Sequence, residues 1–137
     1  MLFAVLSRFE KRKDNFGIGL TYRAIGSTYM SAKDYPKAAE YLKKQIPLAT
    51  ADNQKQLLSR IYNGVACAYG EGKMADSGMA YAQKAVTLDT ELKNYFQLAV
   101  STSTLGENYI AAGQYDIALP YLRRTLDFYQ KNKAPSP

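Results

Sequence analysis

Residues 20–42, LTYRAIGSTYMSAKDYPKAAEYL, decide the fold. Tyr22, Ile25 and Tyr29 stand at i, i+3 and i+7, one stripe of a helix that runs from Leu20 to about Ala32. A break follows at Lys33-Asp34-Tyr35, and a second helix starts at Pro36. Asp34 is placed to cap that helix, and Pro36 falls in its first turn, where no backbone N–H is missed. Gly26 lies beside the buried stripe. Glycine costs about 1 kcal/mol in a helix interior, so its presence predicts that a neighbouring helix approaches closely there. The stretch is a helical hairpin without His, an acid pair or a glycine-rich loop.

The hairpin recurs. A shift of 40 residues carries Tyr22 onto Tyr62, and Ile25 onto Val65 and Leu105. The same shift carries Gly26 onto Ala66 and Gly106, and Tyr29 onto Tyr69 and Tyr109. Farther along, Ala38 meets Gly78 and Ala118, Tyr41 meets Tyr81 and Tyr121, and Leu48 meets Leu88 and Phe128. Tyr35 returns as Tyr115 but as Ala75 in the middle copy, which is the most degenerate of the three. In the third copy GQYD, Gly113–Asp116, makes the turn, with glycine stopping the first helix.

The order Tyr22-x2-Ile25-Gly26-x2-Tyr29, then Asp34-Tyr35, then Ala38 resembles the tetratricopeptide repeat, whose pattern is W-x2-L-G-x2-Y…A-x3-F…P. LGENYIAAGQYDIALPYL, Leu105–Leu122, resembles it equally, although Thr102 replaces the first aromatic residue. The period is longer than the usual repeat of about 34 residues. The extra residues are expected to lengthen helix B and the connection after it, around Ala51-Asp52-Asn53 and Asp89-Thr90-Glu91. This resembles a long variant found in bacterial signalling and regulatory proteins. The resemblance implies an all-α, right-handed superhelical solenoid of about three hairpins plus a preceding half repeat, about seven helices in all.

One domain over 1–137 is expected. Residues 1–13 form helix B of a truncated repeat, 19–50, 57–90 and 97–130 form the three repeats, and 131–137 form a flexible tail. The opening MLFAVLSRF and the final Tyr121, Leu122, Leu126, Phe128 and Tyr129 then present apolar surface without a covering unit, whereas solenoids normally end in a polar cap. The chain is therefore expected to be a piece of a larger bacterial protein, with self-association through the uncapped ends as the alternative. Pro47 should bend or end its helix, and Pro120 should cost less.

Composition narrows the chemistry. With no His among 137 residues, the usual general base and the commonest metal ligand are missing. The single cysteine, Cys67, has no His to activate it. No nucleophile–base pair, phosphate loop or metal-ligand spacing occurs, so the expectation is a non-enzymatic chain without cofactor, metal or small-molecule substrate. Net charge is +6, yet the densest basic run, RFEKRKD (Arg8–Asp14), includes two acids, Glu10 and Asp14. Nucleic-acid arms are denser. No apolar run approaches the roughly 20 residues of a membrane span, and MLFAVL is too short for an export signal. A cytoplasmic location is the corresponding expectation, with an extracytoplasmic one as the alternative if the chain is cut from an exported or membrane-anchored parent.

The resemblance further implies that helix A lines a concave groove that takes a peptide or partner protein. Transferred by position, the groove residues are Leu20, Arg23, Ser27, Met30 and Ser31 in the first copy. The second contributes Arg60, Asn63, Cys67, Gly70 and Glu71, and the third Val100, Ser103, Glu107, Ile110 and Ala111. The carboxylate clamp of chaperone-tail binders is not reproduced, because Gly64, Val100 and Thr104 occupy its places. Lys44, Lys84 and Arg124 recur on helix B. They offer the alternatives of a convex basic ridge for nucleic acid or an anionic surface, or a plain solvated face in a purely structural scaffold.

Overall fold

The structure, a computed structural model, describes residues 1–133. It contains α1 (Leu2–Lys11), α2 (Asn15–Ser31), α3 (Tyr35–Lys43), α4 (Gln45–Ala51), α5 (Lys55–Glu71), α6 (Ala75–Leu92), α7 (Tyr95–Ala111) and α8 (Tyr115–Lys131). There are no strands among the described residues. The fold is an all-α array of hairpins, α2 with α3–α4, α5 with α6, and α7 with α8, preceded by α1. Residues 134–137 of the expected tail lie outside the described residues, and Lys131 belongs to α8. Among the described residues no helix is long and apolar enough to cross a membrane.

The described residues form eight helices where about seven were expected, because helix B of the first hairpin is cut in two. Pro47 has no N–H to give the Lys43 carbonyl, and its ring crowds that carbonyl. α3 accordingly ends at Lys43 and α4 begins at Gln45, with Lys44 between them. Pro120 sits in the second turn of α8, which runs through it unbroken.

One joint, used six times, sets the spacing of the helices. Lys13, Lys33, Asn53, Lys73, Lys93 and Gly113, twenty residues apart, all have φ between 54° and 77°. Each follows a helix end and closes a pair of backbone bonds. After α2, Lys33 N–H donates to the Met30 carbonyl at 3.0 Å and Asp34 N–H to the Tyr29 carbonyl at 2.9 Å. The same two bonds recur after α1, α4, α5, α6 and α7, so every joint is a Schellman turn that satisfies carbonyls the helix leaves open. The next residue starts the following helix. Asp14, Asp34 and Asn94 also cap it by accepting an N–H three residues on. The connection after helix B is thus as short as the turn within a hairpin. Asp89, Thr90 and Glu91 are helical residues of α6 rather than part of a longer link. The A helices also start earlier than their apolar pattern suggests, at Asn15, Lys55 and Tyr95.

The repeating columns pack as a repeating core. Ile25, Val65 and Leu105 are fully buried. Tyr29 stacks on Tyr41 with ring centroids 5.7 Å apart, Tyr69 on Tyr81 at 5.9 Å, and Tyr109 on Tyr121 at 5.5 Å. These offset pairs clip helix A to helix B in each hairpin. A side chain at Gly26 would place its Cβ 2.7 Å from Leu42 Cγ and Cδ2, whereas at Gly106 the nearest Leu122 carbon would be 3.0 Å away. Gly26→Ala is therefore expected to lower stability by about 1–2 kcal/mol, and Gly106→Ala by less, as read from urea unfolding midpoints. Equal effects would mean that the two hairpins close at the same distance.

The terminal helices are partly covered. Phe9 of α1 lies over Gly17 of α2, Leu6 is buried, and Phe3 meets Tyr41 edge-on at 5.9 Å. On α8, Leu126 and Tyr129 remain exposed.

Candidate functional site: a trough across three helices

Helix periodicity leaves one face of each A helix outside its own hairpin. On α2 that face carries Arg23, Ser27 and Met30, at i, i+4 and i+7. On α5 it carries Arg60, Gly64, Cys67 and Glu71, and on α7 Glu107 and Ile110. The α2 and α5 faces enclose a cavity of about 320 Å³ lined by Arg23, Ser27, Met30, Arg60, Gly64 and Cys67, among others. The α5 and α7 faces enclose another of about 410 Å³, with Cys67, Gly70, Glu71, Glu107, Ile110 and Ala111 in its wall. Cys67 lines both, so the two cavities adjoin on the free faces of α2, α5 and α7, and the trough denotes the pair. A smaller cavity of about 80 Å³ continues it past Leu20 and Arg23, toward Phe16, Leu48 and Leu57.

The electrostatics divide with the geometry. Arg23 and Arg60 are exposed in the α2–α5 half, whose wall contains no acid. Glu71 and Glu107 are exposed in the α5–α7 half, with Lys73 at its edge. Burial raises the Cys67 thiol above its usual pKa, and the nearby Glu107 and Glu71 carboxylates push it the same way. A thiol held protonated there is apolar lining rather than a nucleophile.

Four of the residues transferred from the repeat pattern lie elsewhere. Ser31, Val100 and Ser103 are outside the walls of these cavities. Asn63 is a correction, for it is only 7% exposed and points between α5 and α7. Its Nδ2 donates to Ser101 Oγ at 2.8 Å. The Ser101 hydroxyl donates in turn to one carboxylate oxygen of Asp89, and Ser59 Oγ donates to the other at 2.5 Å. Asp89 has no exposed surface, so the chain Asn63–Ser101–Asp89–Ser59 fastens α5, α6 and α7 together from inside. Residues the pattern did not supply also enter the trough. Gln45 and Leu48 reach it from α4, and Leu57 and Phe16 occupy turns that precede the recognisable motif.

Asn108 is a second buried amide. Its Nδ2 donates to the carbonyls of Thr104 at 3.0 Å and Ala66 at 3.4 Å, while its Oδ1 meets no donor. That oxygen faces Gly78 of α6 and Gly70 of α5, where a Cβ at either position would collide with it. Gly78 stands where Ala38 and Ala118 stand in the other hairpins because Asn108 of the next hairpin takes up the space of its Cβ.

The recurring cations of helix B have partners of their own. Lys44 Nζ lies 5.9 Å from the centroids of both Tyr22 and Tyr41, and Lys84 Nζ 5.8 Å from Tyr62 and 5.1 Å from Tyr81. Arg124 sits 5.5 Å over Tyr121. Their period follows that of the tyrosine rings, which attract cations through their π faces.

Among the described residues no group of three His, Cys, Asp or Glu side chains stands close enough to hold a metal ion. No curated protein matches the chain. Residues 98–132, which take in most of α7 and all of α8, match the tetratricopeptide repeat family model. The hairpins before it repeat the same joints and tyrosine pairs, so the part of the chain that matches the family model is built like the rest.

Proposed function

We propose that this protein is a protein-interaction module that holds a segment of a partner in the trough crossing α2, α5 and α7. Tetratricopeptide repeats in general mediate protein–protein contacts. The observation that carries the reading is that two cavities, of about 320 and 410 Å³, adjoin at Cys67 on the free faces of successive A helices. A walled trough with apolar lining and a few charged groups is the form in which folded domains take up peptide segments.

Gly64 offers a test that spares the fold. A Cβ there would meet only Leu42 Cδ1, at 3.9 Å, and would otherwise point into the trough. Gly64→Phe is expected to unfold at the wild-type midpoint or slightly above it, since leaving glycine favours the helix by about 0.5 kcal/mol. It is expected to lose more than about tenfold in affinity for any segment held there. Affinity capture from a cell extract, quantified by mass spectrometry for wild type and variant side by side, reads this directly. Retention of every captured protein by a folded Gly64→Phe variant would remove the trough from the function.

The alternative of a basic convex ridge is less well supported. Lys44, Lys84 and Arg124 already lie over tyrosine rings, which accounts for their period without an anionic partner.

A further inference from the structure

We infer that the trough selects its partner by charge order, taking an extended segment with an acidic side chain at one end, a basic side chain at the other and apolar residues between. The inference rests on the trough being the binding site. Arg23 and Arg60 are the charges in the wall of one half, and Glu71 and Glu107 dominate the other. A net charge of +6 would by itself favour a uniformly acidic partner. Such a partner would meet two carboxylates in the α5–α7 half, where like charges repel and suppress binding. The thiol of Cys67, between the halves, already responds to those carboxylates.

The shape fixes the length and form of the segment. From Arg60 to Glu71 is eleven positions along α5, about 16 Å at the helical rise. An extended chain covers that distance in about five residues. The crossing over α5 is made at Gly64, Cys67 and Gly70, whose small or missing side chains form a low saddle between the cavities. Small side chains at that crossing leave room for the backbone of an extended segment to approach α5. Met30 on the near side and Ile110 on the far side supply apolar walls for the residues between the charges.

The test is a selection from a display library of random peptides about nine residues long, run on the whole chain. Wild type should enrich sequences carrying an acid and a base about five residues apart. Arg23→Glu/Arg60→Glu should lose those sequences by about tenfold and enrich peptides basic at both ends. The milder Arg23→Gln/Arg60→Gln pair should lose the acidic preference alone, with far-UV circular dichroism verifying the fold of both. Enrichment of peptides without charge order, or enrichment that both variants leave unchanged, would overturn the inference while leaving the trough as a binding site. No enrichment by folded wild type would overturn the inference and the binding reading together.

Discussion

Gly78→Ala is expected to destabilise the protein by about 2–3 kcal/mol, through a residue that belongs to the next hairpin. The added methyl would occupy the place of Asn108 Oδ1 and come within 3.0 Å of the Ala66 carbonyl. Asn108 would have to leave, giving up its bonds to Thr104 and Ala66 in an interior with no other partner to offer. One hairpin earlier the equivalent positions are Ala38 and Ala68, which share a core cluster. Two medium residues there are replaced by a minimal one and a long one here, so the volume at the seam is conserved. A double-mutant cycle tests the pairing. Asn108→Ala alone should cost about 1–2 kcal/mol through the cavity it leaves. The double variant Gly78→Ala/Asn108→Ala rebuilds the Ala38–Ala68 arrangement and should be little worse, giving a coupling of about 2 kcal/mol. Additive effects in urea unfolding would show that the two residues do not share the space.

Asp89→Ala is expected to cost about 3 kcal/mol. Asp89 is a fully buried acid held by two serine hydroxyls from different helices, Ser59 on α5 and Ser101 on α7. Hydrogen bonds to a charged group contribute about 1.5–3 kcal/mol each, and part of that is offset because the carboxylate no longer has to be kept from water. Truncation would strand both hydroxyls and leave the Asn63 amide bonded to a serine without a further acceptor. Asp89→Asn preserves the shape and one acceptor oxygen, and should lose less than half as much. If Asp89→Ala unfolds at the wild-type midpoint, the three helices are held by apolar contacts alone.

Both sites show where the chain could be read in advance and where it could not. The buried stripe, the glycines at 26 and 106 and the tyrosine columns were legible because apolar and minimal side chains recur at one period and on one helical face. The joints were not. Four of the six residues in the left-handed region are lysines, which carry no turn signal of the kind glycine or asparagine gives. The half-period of twenty residues was therefore invisible, and the extra length of the repeat was assigned partly to a loop. Buried polar residues were the other blind spot. Asn63 sits at the register of Arg23, on a face the family pattern treats as open, yet a hydroxyl on α7 draws it inward. Asp89 shares its column with Ala49 and Tyr129, so nothing periodic marks it. Of the residues lining the trough, Arg23, Met30, Cys67, Glu71, Glu107 and Ile110 were transferred by position from the resemblance, while Leu48 and Gln45 were not among them.

The equal spacing of the six joints bears on how such a gene can be edited. Cutting the chain after Asn53 and Lys93, forty residues apart at equivalent points, would leave every Schellman bond intact on rejoining. The backbone alone would thus accept its hairpins in any order. The side chains would not, since Gly78 fits only a long amide downstream, Ala38 only a small neighbour, and Asp89 requires a serine in the following hairpin. Each unit carries an address readable by its successor, and a shuffled array would keep its turns while losing its interior.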